Sequence, residues 1–154
     1  MLDNYALPPR PAMVAQEPAQ PNIALPQGEP WLSDPAVIAA LGKAWTASGN
    51  GMATREGTVV LYNNPDGTIR PVHLPITNDH KTYKVKLEPN AAAILHTHSN
   101  RDAFRPSDGD RAEADRVRIP IYTLTRQGMY RYDPNTKKTE LVRQGLTWLD
   151  KPKP

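Results

Sequence analysis

The sequence predicts one α+β domain in which a mixed sheet is flanked by helices. Short runs rich in β-branched and aromatic residues recur along the chain at the usual length of strands. Two further segments combine a helix start signal with a following helical stretch. The chain has 154 residues, of which 38% are hydrophobic, so it suits a single domain with a modest core.

The domain is expected to span residues 33–149, between two polar ends. Residues 1–32 hold seven prolines among alanine, glutamine and asparagine. Because proline removes backbone donors and restricts its neighbour, this segment is expected to form an extended or disordered tail. The last residues, 150–154, are rich in lysine and proline and are expected to fray.

The first helix is expected to begin at Ser33, a good N-cap, with Pro35 tolerated in the first turn. Residues 48–51, Ser-Gly-Asn-Gly, end it. Four apolar residues recur at roughly helical spacing and are expected to face the core: Val37, Ile38, Leu41 and Trp45.

A hairpin and a third strand are predicted next. Residues 52–62 form a strand, residues 63–67 the turn, and residues 68–74 the returning strand, which Pro71 marks as an edge. Residues 82–87 alternate between apolar and charged, which is typical of a half-buried strand.

The second half of the chain is built around the run at residues 91–98. This run is apolar up to its histidines, which predicts a central strand buried on both faces. A helix is expected from Ser107 to about Val117. Further strands are expected at residues 119–125, 129–132 and 139–142, with Trp148 and Leu149 anchoring the end.

A metal site is predicted where this central strand ends. His96 and His98 are two residues apart, so on an extended strand their side chains point the same way. The chain has no cysteine, so any metal must be held by histidine or carboxylate. We choose Asp110 as the third ligand, with Asp108 as the competitor, and Glu56 as the base of a catalytic zinc site.

Each part of this pattern also has an ordinary explanation. A His-x-His sequence on a strand is often structural, Glu56 alone would be a surface acid, and Ser107 with Asp110 would form a capping box. The combination of an apolar strand ending in His-x-His with a following Pro-Ser-x-x-Asp helix start is more specific, and it favours a metal site.

The combined pattern resembles the JAMM motif of the JAB/MPN metallopeptidases, which reads Glu, His-x-His, then Ser-x-x-Asp. It is most similar to the short bacterial JAB-like domains of polymorphic toxins and RHS-type effectors. The runs Ile-Pro-Ile-Tyr at 119–122 and Gly-Met-Tyr-Arg-Tyr-Asp-Pro at 128–134 add to the resemblance. Two departures lie in the loop, where Ser99 follows the second histidine and eight residues separate His98 from Ser107.

The resemblance implies a layered MPN fold, like that of the cytidine deaminases, and hydrolysis of a peptide or isopeptide bond. It implies that His96, His98 and Asp110 bind Zn²⁺ and that Glu56 is the general acid/base for a zinc-bound water. Ser107 would donate a hydrogen bond to the oxyanion. It also implies a protein or peptide substrate of the ubiquitin-like kind and, for a toxin or effector, a cognate immunity or activating protein.

The sequence leaves two other classes of function open. The first is a catalytically inactive MPN-like binding module, which measurement of bound zinc would separate from an enzyme. The second is a protein acting on nucleic acid, but aromatic residues make up only 6% of the chain, so a stacking platform for bases is not expected. Five arginines crowd around the predicted site and could instead steer an acidic protein substrate: Arg101, Arg105, Arg111, Arg116 and Arg118.

The sequence also bears on location. No apolar run approaches the roughly 20 residues that span a bilayer, so no membrane partner is expected. The N-terminus lacks a conventional secretory signal, which leaves a cytoplasmic protein or export by another route. His73 and His80 match nothing in the motif and receive no role.

Overall fold

A six-stranded mixed sheet forms the centre of the computed structural model, which describes residues 28–52, 56–74, 86–100 and 104–149. The strand order is β2-β1-β3-β4-β5-β6. Strands β3 and β4 run parallel, and the other neighbouring pairs are antiparallel. The strands are β1 (Thr58–Asn63), β2 (Ile69–Leu74), β3 (Ala91–Thr97), β4 (Ile121–Thr125), β5 (Gly128–Asp133) and β6 (Lys138–Gln144). The predicted α+β class with a mixed sheet is confirmed.

Two helices cover the two faces of the sheet. Helix α1 (Pro35–Ala47) precedes it, and helix α2 (Asp108–Val117) connects β3 to β4, as a parallel pair requires. Leu95 lies in the apolar cluster on the α1 side, whereas Ile94 lies in the cluster on the α2 side. The side chains of β3 therefore alternate between two separate cores, one beneath each helix.

Strand β3 is central and every one of its residues is buried, as the sequence predicts. Strand β2 lies at the edge of the sheet, in agreement with the prediction from Pro71. Strand β1 begins at Thr58, later than the predicted start at Met52. Met52 instead belongs to the turn after α1, where its N–H donates to the Gly49 carbonyl at 3.0 Å.

Residues 28–32, which the sequence places in the proline-rich segment, pack against the sheet. Trp31 and Leu32 are buried in a short 3-10 turn, Pro30–Ser33, and the Trp31 ring meets Tyr122 edge-on at 5.2 Å. The buried Glu29 carboxylate accepts a hydrogen bond from the Tyr122 hydroxyl at 3.1 Å. Among the described residues, burial of Trp31 and Leu32 thus outweighs the local proline signal, and residues 28–32 form part of the packed structure.

The predicted tails fall mostly outside the described residues. This applies to residues 1–27, to residues 150–154 and to most of the strand predicted at 82–87. Of that strand Leu87 is described, and it is buried as expected. Leu149 is also buried, which confirms the predicted anchor. Among the described residues no helix has the length and apolar character needed to cross a bilayer.

Helix α1 is capped by Asp34 and not by the predicted Ser33. The Asp34 carboxylate accepts a hydrogen bond from the Ala36 N–H at 2.9 Å, while Ser33 ends the preceding 3-10 turn with its side chain exposed. We expect Asp34→Ala to lower the free energy of unfolding by about 1 kcal/mol, because an N–H of the first turn loses its acceptor. The matched change Ser33→Ala should leave it unchanged. Urea denaturation measures both, and equal losses would contradict the assignment.

Candidate metal centre

Strand β3 carries both histidines to the α2 side of the sheet. Ile94 belongs to the core beneath α2, so the period of two places His96 and His98 on the same side, nearer the end of the strand. Each histidine is 1% exposed. His96 is held in register between Thr58 of β1 and Thr123 of β4. The neighbouring strands on both sides therefore fix its backbone.

The start of α2 carries the carboxylate. Ser107 is the N-cap, and its hydroxyl oxygen accepts a hydrogen bond from the Asp110 N–H at 3.1 Å. In return, Oδ2 of Asp110 accepts from the Ser107 N–H at 3.0 Å. This is a complete capping box, and it fixes the rotamer of Asp110. The residue is fully buried, with 0% exposure.

The three predicted ligands meet in a compact triangle. The Nε2 atoms of His96 and His98 lie 2.8 Å apart, and Oδ2 of Asp110 lies 3.2 Å from the first and 3.3 Å from the second. Hydrogen bonds alone cannot satisfy this triangle, because an imidazole Nε2 carries either one proton or one lone pair in the ring plane. A cation between the three atoms would take one lone pair from each, so the group could hold a metal ion.

The electrostatics of the triangle favour an ionised carboxylate. Burial by itself would raise the pKa of the Asp110 carboxyl, but the adjacent imidazoles of His96 and His98 hold that pKa well below its usual range. Oδ1 of Asp110 and Nδ1 of His96 are buried and have no hydrogen-bond partner among the described residues. A buried carboxylate anion beside two imidazoles supplies the negative charge that stabilises a bound cation.

The predicted competitor, Asp108, lies elsewhere. Its side chain is 97% exposed and pairs with Arg111 one turn along α2. It occupies the first position of the helix and points to solvent, whereas Asp110 at the third position turns back toward the N-cap. Of the two carboxylates, Asp110 is the one that reaches the histidines.

Glu56, the predicted base, lies just before β1 and is 7% exposed. Thr58 pairs with His96, and Gly57 pairs with Thr97 through the Thr97 N–H, which donates to the Gly57 carbonyl at 2.9 Å. Continuing this antiparallel register by one residue puts Glu56 opposite His98. Directly opposite residues share a face of the sheet. By this extension beyond the strand ends we expect Glu56 on the histidine side of the sheet, and its catalytic role stays a prediction.

Ser107, predicted as the oxyanion donor, serves the capping box in the structure. In this bond its hydroxyl accepts from the Asp110 N–H, so the bond uses a lone pair of the oxygen and not its proton. The capping explanation and the metal explanation, set against each other by the sequence, hold together here because one Asp110 oxygen serves both. The role of Ser107 toward a substrate stays a prediction.

Thr97 and Gly57 are contacts that sequence reasoning missed. The Gly57 N–H donates to the Thr97 hydroxyl at 2.9 Å, in addition to the backbone bond in the reverse direction. Thr97 stands between the two histidines and its side chain points to the opposite face, toward α1. The sequence shows a threonine between the two histidines and, 40 residues earlier, a glycine after Glu56. Only the register of the strands shows that Thr97 and Gly57 meet.

The predicted arginine rim is partly neutralised. Arg111 pairs with Asp108 and donates to the Pro106 carbonyl at 2.7 Å, and Arg116 pairs with Glu113. Arg105 and Arg118 are exposed, and Arg101 lies outside the described residues. His73, which received no role, lies on β2 opposite Val59, whose side chain packs on the α1 side of the sheet.

Comparison with models of protein families, with curated proteins and with solved structures finds no match.

Proposed function

We propose that the protein is a zinc-dependent hydrolase of peptide or isopeptide bonds. The observation that carries the proposal is the buried triangle of His96, His98 and Asp110. Two imidazoles and one carboxylate, with no cysteine in the chain, form a donor set that zinc accepts and that catalytic zinc sites use with a fourth position for solvent. Glu56 on the same side of the sheet supports a catalytic site over a structural one.

The ligand spacing supports zinc. On tetrahedral zinc, with bonds of about 2.0–2.1 Å, ligand atoms lie roughly 3.3 Å apart. The two distances from Asp110 Oδ2, 3.2 and 3.3 Å, agree with this value, and the distance between the two Nε2 atoms is shorter at 2.8 Å. The JAMM-like order of Glu56, the two histidines, Ser107 and Asp110 along the chain points to the same metal.

The resemblance to the JAMM motif supplies the proposed roles of the side chains. Zinc, when bound, supplies a Lewis acid that makes a nucleophile of water near neutral pH. The Glu56 carboxylate would take up the proton of the attacking water and return it to the leaving nitrogen. The Ser107 hydroxyl donates a hydrogen bond to the developing oxyanion. The effector role and the cognate protein partner that the resemblance implies stay predictions.

A test without a known substrate uses water labelled with ¹⁸O. The zinc-loaded protein is incubated with a mixed library of linear and Lys-branched peptides, and mass spectrometry detects ¹⁸O in newly formed carboxyl termini. We expect labelled products from the wild type. We expect Glu56→Gln to slow their formation by at least about 100-fold, because general acid/base catalysis contributes 10²–10⁴-fold.

The matched control is Glu88→Gln, since Glu88 is an exposed glutamate that pairs with Arg70 near the sheet edge. It should keep full activity, and all three proteins should carry the same zinc and unfold at the same temperature. Full activity in Glu56→Gln would remove Glu56 from the reaction. If the zinc-loaded wild type produces no ¹⁸O-labelled peptide, the hydrolase proposal is wrong, and the protein is a binding module that contains a metal.

A further inference from the structure

Two exposed arginines lie over aromatic rings beside the metal centre. Cζ of Arg105 is 5.7 Å from the centroid of the Tyr130 ring, and Cζ of Arg126 is 5.7 Å from the centroid of the Phe104 ring. Both rings are partly buried, so they form a fixed base for the two guanidinium groups. We call these four residues the arginine–aromatic surface.

This surface is joined to the metal centre through Thr123. In the sheet, Thr123 is the register partner of His96 on one side and of Tyr130 on the other. Its hydroxyl also donates to the Phe104 carbonyl at 2.8 Å, which ties the loop before α2 to the sheet. Strands are spaced about 4.8 Å apart, so the Tyr130 backbone lies roughly 10 Å from that of His96.

The two arginines differ from their neighbours in charge pairing. Arg111, Arg116 and Arg131 each pair with a carboxylate. Within the described part of the chain, no ion pair involves Arg105 or Arg126. Both residues are exposed, so a bound anion can reach their positive charge, and a guanidinium binds a carboxylate through two parallel hydrogen bonds.

We propose that the arginine–aromatic surface binds acidic side chains of a peptide substrate on one side of the bond to be cleaved. This inference rests on the proposed function. An extended peptide advances about 3.3 Å per residue, so a chain passing the metal centre would bring a residue about three positions from the cleaved bond to the arginines. Phe104 and Tyr130 hold the guanidinium groups in place, which lowers the entropy lost on binding.

An acidic peptide fits this surface better than a nucleic acid. The arginine–aromatic surface holds two arginines, which is short of a basic track that follows a phosphate backbone. Each aromatic ring also has a guanidinium group over it, so the rings are less open to stacking by bases. The chemistry of the surface therefore selects carboxylates spaced along an extended chain.

The test measures binding of a fluorescent Glu/Ala peptide and its Gln/Ala counterpart by anisotropy, with the full-length zinc-loaded protein. We expect the acidic peptide to bind about tenfold more tightly, and this preference to weaken with added salt. The double variant Arg105→Gln/Arg126→Gln should lose the preference. Arg70→Gln is the matched control, because Arg70 also lies over an aromatic ring, Tyr62 at 4.5 Å, but at the far edge of the sheet.

Equal binding of the two peptides by the wild type, or an unchanged preference in the double variant, would overturn this inference. So would tighter binding of a single-stranded oligonucleotide that the double variant loses, since it would assign the surface to nucleic acid. Zinc content and ¹⁸O labelling are measured on the same samples. A protein that hydrolyses peptides without preferring acidic ones would keep the proposed function and lose only this inference.

Discussion

We expect the wild type to bind about one zinc ion per chain, and the proteins His96→Ala and His98→Ala each to lose it. Both imidazoles are buried, and no other His, Cys, Asp or Glu among the described residues joins their group to replace a missing ligand. Loss of a group that merely orients a ligand already costs about 10–100-fold in metal affinity. Loss of a ligand should therefore cost more than about 100-fold, and inductively coupled plasma mass spectrometry of dialysed protein measures it.

Two matched variants make this measurement specific. His73→Ala removes a histidine from the edge strand β2, and Asp108→Asn removes the exposed carboxylate of the α2 start. Both should retain zinc, whereas Asp110→Asn should lose it. A chelator should lower the unfolding temperature of the wild type, because a ligand bound only by the folded state stabilises that state. Equal zinc content in the wild type, His96→Ala and His98→Ala would contradict the proposed metal centre.

The variant Gly57→Ala is expected to lower the free energy of unfolding by about 1–3 kcal/mol, the usual cost of forcing extra volume into a packed interior. An added Cβ would lie 2.6 Å from the Ala44 carbonyl oxygen, 2.8 Å from Ala44 Cβ and 2.9 Å from Ala44 Cα. These atoms belong to the backbone of α1 or are attached directly to it, so they cannot rotate away. Either the helix or the start of β1 must move.

Movement at Gly57 would reach the site, because its N–H and C=O both bond to Thr97 and the preceding residue is Glu56. We therefore expect slower peptide hydrolysis from Gly57→Ala at temperatures where it remains folded. Gly42→Ala is the control, since the same substitution meets nothing within 4 Å on α1 and should raise stability by about 0.5–1 kcal/mol. Guanidinium denaturation compares the two, and a Gly57→Ala protein as stable as the wild type would contradict the packing argument.

The sequence predicts well those features that local patterns control. The buried strand β3, the edge strand β2, the turn after α1 and the start of α2 at Ser107 each follow from apolar runs, turn residues or a cap. The meeting of His96, His98 and Asp110 also follows from local order, because all three lie within one strand-loop-helix unit.

The features that the sequence misses depend on contacts distant in the chain or on a neighbouring turn that local patterns do not indicate. Trp31 is buried because it meets Tyr122, which local proline content cannot indicate. Asp34 replaces Ser33 as the cap because the 3-10 turn ahead of it shifts the helix start by one residue. The position of Glu56 depends on the register between β1 and β3, and a shift of one residue would have sent it to the other face.

One oxygen atom of Asp110 has a consequence for the coupling between folding and ligation. Oδ2 accepts the N-cap hydrogen bond from Ser107 and also faces both imidazoles. A ligand that strengthens the interaction of this oxygen with the imidazoles therefore also stabilises the first turn of the crossover helix. By linkage, stabilising that turn strengthens ligand binding by the same free energy. One coupling free energy thus links the stability of that turn to the affinity of the three ligand residues for a cation.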